Sequence, residues 1–359
     1  MATGANRRLN VFDLAPDHAI AVSYADLADS PILSCISVQN DVCLAMTTMS
    51  GKLIVSRGPE VLDSRKDHLK YAVRVTAYDD NARSLTWIAT AGWDGKIFLY
   101  GAEWSQTPLI GDPLDVIELM TNPECICFTK NQATDDLLLI ASRADSTHLY
   151  YYLVEAASAP LTVENRESYK CRFLGKQNLA PQSNAWVAFS PSCFAISPHD
   201  PGLLAVATSS LPHLKVMIVR LLIPRSDEVP SAQNTDVSHA AQALAELAIQ
   251  NREDAAIDVQ TSTMAPQTPY STPQVVWRPD GSGVWVNGDD GVVRGIEAKT
   301  GKIIESLTKG HEPGSKIRSL WAGWIQSDES GIGRQEWLIS GGFDKKLIIW
   351  KIGDEDNIG

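Results

Sequence analysis

Two groups of residues in this sequence combine a histidine, an aspartate and a hydroxyl side chain. One group consists of His311, Ser340 and Asp344, and a second group of the same types lies between residues 68 and 94. These are the residue types of a hydrolytic triad, in which the aspartate orients the imidazole and the imidazole takes the hydroxyl proton. The sequence therefore raises the question of acyl-transfer chemistry.

The positions of the two groups argue against a catalytic site. They lie in stretches that align without gaps, WIATAGWDGKIFLYG at residues 87–101 and WLISGGFDKKLIIWK at residues 337–351. A group that occurs twice at equivalent positions fits architecture better than one active site, and the GxSxG elbow is absent. A buried imidazole needs a partner for each nitrogen, which a carboxylate and a hydroxyl supply. We therefore predict that the chain is not an enzyme.

Both stretches have the pattern of a β-hairpin. In each, an apolar run leads into a pair of small residues, an aromatic residue and an Asp in a tight turn, and a second apolar run follows. Weaker copies of this pattern occur at residues 32–57, 124–154, 194–222 and 274–302. The chain is therefore predicted to be an array of short antiparallel strands.

This repeat resembles that of the WD-repeat family, because a histidine precedes each of the two strongest hairpins and a Trp ends the last strand. The resemblance implies an all-β fold, a β-propeller of four-stranded blades with about 40–45 residues per repeat. Six blades are recognisable. A degenerate seventh blade within residues 155–190 is left open, and we expect residues 1–359 to form one propeller domain.

The resemblance also implies a buried hydrogen-bond chain in the two strong repeats. In the family, this chain joins the hairpin Asp, the His before the first strand, a Ser or Thr on the second strand and a Trp on the third. The last repeat has all four residue types, whereas the other has Tyr in place of Trp. The implied members are Asp344, His311, Ser340 and Trp350, and Asp94, His68, Thr90 and Tyr100.

Two segments fall outside the repeats. Residues 18–25 read as a strand, and we predict that residues 18–24 pair with residues 347–351 and so close the last blade, which removes an exposed sheet edge. Residues 225–254 are predicted to be a helical insertion between blade strands, because its Ala, Leu, Glu and Gln residues favour a helix. The helix in residues 236–252 either packs on the propeller or binds a partner.

The residue before a hairpin Asp points towards one end of a WD-repeat propeller, so these residues are candidates for partner binding. They include Trp93, Phe343 and Asp289. Arg74 and Arg318 occupy matching positions on the first strands of the two strong repeats. Aromatic residues and arginine dominate binding hot spots, so these five residues form a hypothetical protein-binding surface for an acidic, apolar peptide. The alternative is that the aromatic rings pack against neighbouring loops.

Composition narrows the partners. The chain has 359 residues and a formal net charge of −12, which disfavours direct contact with nucleic acid. No window of 18 apolar residues occurs, so no membrane span is expected. The N-terminus lacks a signal-peptide stretch, and we expect a cytoplasmic or nuclear protein, not a secreted one. Metal and nucleotide motifs are absent, so no metal or other cofactor is expected.

The predicted function is a protein-binding scaffold or adaptor subunit. We expect the chain to bind one or more proteins within a hetero-complex and to be monomeric by itself. Two alternatives belong to other classes: a chromatin- or RNA-associated complex subunit, and an enzyme on a propeller scaffold. Fold alone does not decide among them.

Overall fold

The computed structural model of the chain consists mainly of antiparallel β-strands. Internal contacts divide it into two compact units. The first unit consists of Met1–Ala144 and Tyr150–Leu174, and the second of Asp145–Leu149 and Gly175–Gly359. The structure describes residues 2–3, 7–12, 21–24, 27–104, 109–155, 168–183, 188–224, 239–326 and 334–353.

The first three of six successive sheets, together with a small N-terminal sheet, account for the strands up to residue 178. The N-terminal sheet contains β1 (Ala2–Thr3), β2 (Leu9–Phe12) and β3 (Ala21–Tyr24). The first sheet contains β4 (Ile32–Val38), β5 (Cys43–Thr48), β6 (Lys52–Arg57) and β7 (Glu60–Lys66). The second contains β8 (Ala72–Asp80), β9 (Leu85–Gly92), β10 (Lys96–Glu103) and β11 (Asp115–Glu118). The third contains β12 (Pro123–Lys130), β13 (Leu137–Arg143), β14 (His148–Glu155) and β15 (Lys170–Asn178).

Three further sheets and one helix follow in the described part of the second unit. The fourth sheet contains β16 (Pro191–Ile196), β17 (Leu203–Thr208), β18 (His213–Arg220) and β19 (Ile257–Pro266), with α1 (His239–Ala255) between its last two strands. The fifth contains β20 (Val275–Trp277), β21 (Gly283–Val286), β22 (Val293–Glu297) and β23 (Ile303–Leu307). The sixth contains β24 (Ile317–Gln326), β25 (Arg334–Gly342) and β26 (Leu347–Ile352).

Each of the six sheets pairs its strands in chain order. The second strand of a sheet has a neighbour on both sides, and in the first five sheets most of its side chains are buried. In the sixth sheet, buried residues of β25 alternate with less buried ones. All eight residues of β9 are buried, as are all four of β21. A strand that is buried on both faces has a continuous run of apolar residues in its sequence. This is why WIATAG and VWV could be predicted as strands from the sequence.

The hairpin between the second and third strands has a left-handed residue directly after its turn Asp. Gly95 has φ of 78° and Gly291 has φ of 83°. Glycine adopts this region without a steric penalty. In the sixth sheet the same position is Lys345, with φ of 64°, so a residue with a Cβ carries a conformational cost there.

Each unit has its own apolar core. In the first unit, Trp87 of β9 packs with Leu139 of β13 and with Tyr169. In the second unit, Trp285 of β21 packs in one cluster with Leu338 of β25 and Trp350 of β26. Burial of such large side chains stabilises a sheet by about 1.5–3 kcal/mol each, and it fixes the hairpins at the strand ends.

The N-terminal strand has a different partner from the one predicted. Ala21–Tyr24 pairs with Leu9–Phe12, and pairing with residues 347–351 does not occur among the sheet pairings of the described residues. Residues 18–20 of the predicted strand lie outside the described residues. The reason is that LNVF supplies a nearby strand, whose Leu9 is buried against Met46 and other residues of the first sheet.

The long interval after the third repeat contains no further sheet in the described part of residues 155–190. Lys170–Asn178 is instead the fourth strand of the third sheet. The six sheets therefore match the six repeats recognised in the sequence.

Helix α1 confirms the helical insertion, although residues 225–238 lie outside the described residues. It joins β18 and β19 of a single sheet. Residues 242–249 are exposed. The helix is held at its C-terminal end, where the carboxylate of Glu253 accepts a hydrogen bond from the Asn178 backbone N–H at 2.7 Å. No helix in the described residues is long and apolar enough to cross a membrane.

Candidate functional site

The His311 set is a closed hydrogen-bond chain at the hairpin of the sixth sheet. His311 Nδ1 lies 2.9 Å from Asp344 Oδ2, and its Nε2 lies 2.9 Å from Ser340 Oγ. Trp350 Nε1–H donates to the same Ser340 oxygen at 2.9 Å. With Nδ1 as the donor to Asp344, the Ser340 hydroxyl donates to Nε2, and each polar group has a partner.

Asp344 ties this set to the hairpin backbone. Its carboxylate accepts hydrogen bonds from the backbone N–H groups of Glu312, at 3.0 Å, and Lys346, at 3.2 Å. Burial by itself would raise the pKa of Asp344, but these bonds and the one with His311 lower it below its usual value. The carboxylate is therefore held in its charged form.

The His68 set repeats this geometry in the second sheet, with one change. His68 Nδ1 lies 3.0 Å from Asp94 Oδ1, and its Nε2 lies 2.9 Å from Thr90 Oγ1. Tyr100, which stands where the sixth sheet has Trp350, donates its hydroxyl to Asp67 Oδ2 at 3.0 Å. Asp67 was not among the predicted members, because it is outside the family pattern.

A glycine next to each hairpin makes room for the imidazole. A Cβ on Gly92 would lie 2.3 Å from His68 Nδ1, and a Cβ on Gly342 would lie 2.7 Å from His311 Nδ1. Real Cβ atoms do not approach other atoms so closely, so any side chain at these positions would displace the histidine. The small residue of the repeat pattern is therefore a requirement of the hydrogen-bond chain.

The burial of both sets gives them a structural role. Ser340 and Thr90 are fully buried, and each hydroxyl oxygen is engaged by the histidine of its set. A nucleophile must be within reach of a substrate carbonyl, and neither oxygen is accessible in this structure. What the arrangement does is hold two hairpins in fixed positions.

Two of the sheets without a histidine also have polar anchors at this hairpin. In the first sheet, Ser50 Oγ bonds Thr48 Oγ1 at 3.0 Å and Asp29 Oδ1 at 2.8 Å. In the fifth, the Asn287 amide donates to the Thr272 carbonyl at 3.0 Å. Buried polar groups need partners in any case, so short hydroxyl and amide side chains replace the imidazole.

The hairpin of the second sheet presents an exposed apolar cluster, which we call the Trp93 surface. It consists of the ring pair Tyr71 and Trp93 together with Leu69 and Met120, which are exposed next to the hairpin. The Leu69 N–H donates to the Asp94 carboxylate, and the N–H of Leu119, the residue before Met120, donates to the Gly95 carbonyl. The Tyr71 and Trp93 rings lie 5.2 Å apart, and the Trp93 backbone N–H donates to the Tyr71 carbonyl at 2.9 Å. Trp93 is 47% exposed, whereas Leu69 and Met120 are 86% and 90% exposed. The rings are therefore fixed by each other and remain open to solvent.

Arg74 lies in the same unit as the Trp93 surface, but a backbone group holds it. Its Nε–H donates to the carbonyl of Glu124 at 3.0 Å. The prediction that Arg74 contacts a partner stays a prediction, since any such contact must share the guanidinium with this bond.

The hairpin of the sixth sheet presents a different cluster, the Phe343 surface, formed by Phe343, Arg318 and Tyr270. The Arg318 guanidinium lies over the Phe343 ring, 4.4 Å from its centroid. It also bonds Thr272 Oγ1 and approaches the Tyr270 carbonyl at 3.5 Å. Burial lowers the pKa of Arg318, although Asp289 opposes that shift.

Asp289 is tied into the loop beside this surface. Its Oδ2 lies 2.8 Å from Lys316 Nζ and accepts a hydrogen bond from Ser271 Oγ at 2.5 Å. The sequence placed Asp289 in the binding surface, and the structure shows that its charge is already paired. Tyr270, which is 83% exposed, was missed because it lies on a connecting loop with no repeat counterpart.

An apolar groove of about 400 Å³ opens elsewhere in the second unit. It lies along β16, β20 and β24. Trp321 and Trp324 line it and are 47% and 42% exposed. The sequence gave no sign of it, because two Trp three positions apart in a strand do not indicate a shared concavity. Its other lining residues are Ala195, Ile196, Pro198, Val276, Trp277, Pro279, Leu320 and Ala322.

One buried ion pair also escaped the sequence analysis. The Glu336 carboxylate, 5% exposed, lies 2.5 Å from Arg278 Nη2 and accepts a hydrogen bond from Trp285 Nε1 at 2.8 Å. Every partner of this pair is provided by the fifth and sixth sheets. A buried charge with complete pairing of this kind holds strands together.

Six sequential antiparallel sheets, and one helix within the described residues, define an all-β protein whose sheets are the six blades of a β-propeller. Over residues 2–351 the chain matches the model of a family described as "UCP007778, beta-propeller domain". The chain belongs to that family of β-propeller domains.

Comparison with other proteins supports the fold and goes no further. None of the curated proteins matches the chain. A solved structure described as "Structure of Dos1 propeller" is similar, with a TM-score of 0.54 and 12% sequence identity. The alignment covers 91% of this chain and 70% of that one.

Proposed function

We propose that this chain is a non-enzymatic scaffold or adaptor that binds partner proteins through the hairpin ends of its blades. The Trp93 surface carries the proposal: four large apolar side chains are exposed together beside a hairpin that the His68 set holds in place. Clustered exposed apolar side chains mark interaction sites, whereas single ones are ordinary. Aromatic residues on a fixed backbone lose little entropy on binding, and they dominate hot spots.

The Phe343 surface, in the second unit, is a separate candidate contact that would select for charge. A cation over an aromatic ring offers a partner both an apolar area and a guanidinium that pairs with carboxylates in two-pronged geometry. Within a chain of net charge −12, such a local cation favours an acidic, apolar segment of the partner. The partner would then bind by local complementarity and not by general charge attraction.

We further propose that the repeat is a divergent WD repeat. The complete set of His311, Ser340, Asp344 and Trp350 supports this proposal, since all four residues of the family pattern are joined by hydrogen bonds in one blade. The second blade keeps the bonds among histidine, aspartate and hydroxyl, whereas the first and fifth blades use different polar anchors. On this basis the chain would act in the cytoplasm or nucleus, as a single copy within a hetero-complex.

The proposal is tested by affinity capture with the full chain. The tagged protein and a variant carrying both Trp93→Ala and Phe343→Ala are incubated with a lysate of the source cells, and captured proteins are quantified by mass spectrometry. We expect the double variant to lose at least one partner that the parent protein captures stoichiometrically. Nuclease treatment of the lysate separates partners bound directly from those bridged by nucleic acid.

Trp324→Ala is the matched control. It removes the same side-chain type at similar exposure, 42% against 47% for Trp93, but from the apolar groove. Retention of the partner by this control, and its loss from the double variant at an unchanged melting temperature, would support the proposal. The reverse pattern would assign binding to the groove, and partners that disappear after nuclease treatment would support the chromatin- or RNA-associated alternative.

A further inference from the structure

The loop that joins the fourth and fifth blades contains two Thr-Pro dipeptides, Thr268-Pro269 and Thr272-Pro273. A hydroxyl followed by proline is the acceptor recognised by proline-directed protein kinases, which need both residues accessible. Thr268 and Pro269 are exposed, and Tyr270 after them is 83% exposed. Thr268 therefore lies at the outermost part of the loop.

The second dipeptide is held against the blade. Pro273 is buried, and the Thr272 carbonyl accepts a hydrogen bond from the buried Asn287 amide at 3.0 Å. The Thr272 hydroxyl is bonded to Arg318. Both threonines are exposed, and both hydroxyls are hydrogen-bonded, that of Thr268 to Lys316 and to the Tyr270 N–H. The two acceptors therefore differ in their prolines, since Pro269 is exposed and Pro273 is buried.

The remaining acceptors of this type are less accessible wherever the structure describes them. Ser190 and Ser197 precede prolines but are each 8% exposed. Ser30 and the proline after it are only half-buried, but Ser30 Oγ accepts the backbone N–H of Ser50. Thr107, which also precedes a proline, lies outside the described residues. Among the described residues, Thr268 alone combines an exposed hydroxyl residue with an exposed proline.

A cation is already in position at Thr268. Lys316 Nζ lies 3.0 Å from Thr268 Oγ1 and 2.8 Å from the carboxylate of Asp289. Arg318 lies two residues after Lys316 in the sequence, and its guanidinium contacts the Tyr270 carbonyl and the Thr272 hydroxyl. A phosphate on this oxygen would carry about −1.5 to −2 charges, more than Asp289, and would take Lys316 as its counter-ion.

We propose that Thr268 is a phosphorylation site of this protein, with Lys316 as the residue that pairs with the phosphate. A proline-directed kinase transfers the γ-phosphoryl group of ATP to Thr268 Oγ1. The new bond joins that oxygen to phosphorus, the bond from phosphorus to the ADP oxygen breaks, and the hydroxyl proton passes to the base of the kinase. The inference rests on this loop and on its contact with Lys316, and it does not depend on the proposed binding function.

Site-resolved phosphorylation of the full chain tests this assignment. The kinase is first checked on a synthetic peptide of residues 264–276, in which neither acceptor is held by the fold, and one that modifies both threonines is used. In the folded protein we expect tandem mass spectrometry to find near-complete modification of Thr268 and at least tenfold less at Thr272. Thr268→Ala should abolish the signal from this loop, and Thr272→Ala should leave it unchanged. Equal modification of both threonines, or none at Thr268, would overturn the assignment.

The pairing with Lys316 has its own measurement. In a ³¹P NMR titration of the modified protein, the second pKa of the phosphate should lie below the value of about 6 expected for an unpaired phosphate. Lys316→Ala should raise it, because a neighbouring cation favours the more charged form. The control variant Lys299→Ala, which removes an exposed lysine, should leave the second pKa of the phosphate unchanged. An identical titration of the parent protein and Lys316→Ala would overturn the role of Lys316.

Discussion

The hairpins of the second and sixth blades share an interior and differ at the surface. In both, a buried histidine bonds a turn aspartate and a hydroxyl on the second strand. In the second blade, Trp93 stacks on Tyr71 beside two exposed aliphatic side chains. In the sixth, Phe343 lies under the guanidinium of Arg318. The same framework therefore presents an apolar surface in one blade and a cation over a ring in the other.

This difference separates stability from function. Within each histidine set, the polar side chains are hydrogen-bonded to one another and the hydroxyl is out of reach of solvent. The sets therefore stabilise the fold. The side chain of the residue directly before each turn aspartate takes no part in the hydrogen bonds of the set. Where that residue is a large exposed aromatic, as at positions 93 and 343, the surface is available for binding. Changes to the interior should therefore alter stability, and changes to the surface should alter affinity.

The largest effect is expected from removing a buried imidazole. His311→Ala and His68→Ala each leave a carboxylate and a hydroxyl without their partner, so the free energy of unfolding should fall by about 1–3 kcal/mol in each case. Urea denaturation followed by fluorescence measures it. His213→Ala, on a strand of the fourth blade and only partly buried, is the control and should cost much less. If His213→Ala lowered the free energy of unfolding as much as His311→Ala does, the histidine sets would have no special role in stability.

A smaller effect of opposite sign is expected at the turn. Lys345 has φ of 64°, where the second blade has Gly95. Lys345→Gly should remove the steric cost and raise the free energy of unfolding by up to about 1 kcal/mol. Gly95→Ala should lower the free energy of unfolding, because a Cβ is then placed on a residue with positive φ, as at Lys345. The two variants would contradict this account of the turn if their effects in the same denaturation assay had the same sign.

The smallest effect concerns pH. Burial lowers the pKa of His68 below its ordinary value of 6.5, although Asp94 partly offsets the shift. Below about pH 6.5 the unfolded chain then binds a proton that the folded chain does not, so this contribution to stability is lost as pH falls towards the folded-state pKa. The variant His68→Asn lacks this pH-dependent contribution, because asparagine does not titrate. The difference in unfolding free energy between the parent protein and His68→Asn should narrow from pH 7.5 to pH 5.5. A constant difference would mean that folding leaves the pKa of His68 unchanged, a widening one would mean that folding raises it, and either result would contradict this account.

The two hairpins also show what sequence can and cannot predict. The Asp-Gly step, the apolar runs and the preceding histidine act locally, so the six sheets could be predicted from the sequence. The family resemblance added the histidine, aspartate and hydroxyl members of both sets, whereas Tyr100, predicted as a member, instead bonds Asp67. The partner of residues 21–24 did not, because a short strand without a repeat counterpart can add to several sheet edges. Tyr71 and Tyr270 were missed because their contacts depend on loop paths. The pairing of Asp289 with Lys316 likewise depends on a loop that folds back beside the hairpin.

The measurement that tests the central claim most directly is the affinity of single surface variants for a purified partner. Isothermal titration with Trp93→Ala should show a loss of about 2 kcal/mol, roughly thirtyfold in Kd, if Trp93 is a hot spot. Trp324→Ala, the matched change in the groove, should bind like the parent protein, and both variants should unfold like it. Parent-like affinity of Trp93→Ala, with a loss for Trp324→Ala, would contradict the claim that the blade hairpins form the binding surface.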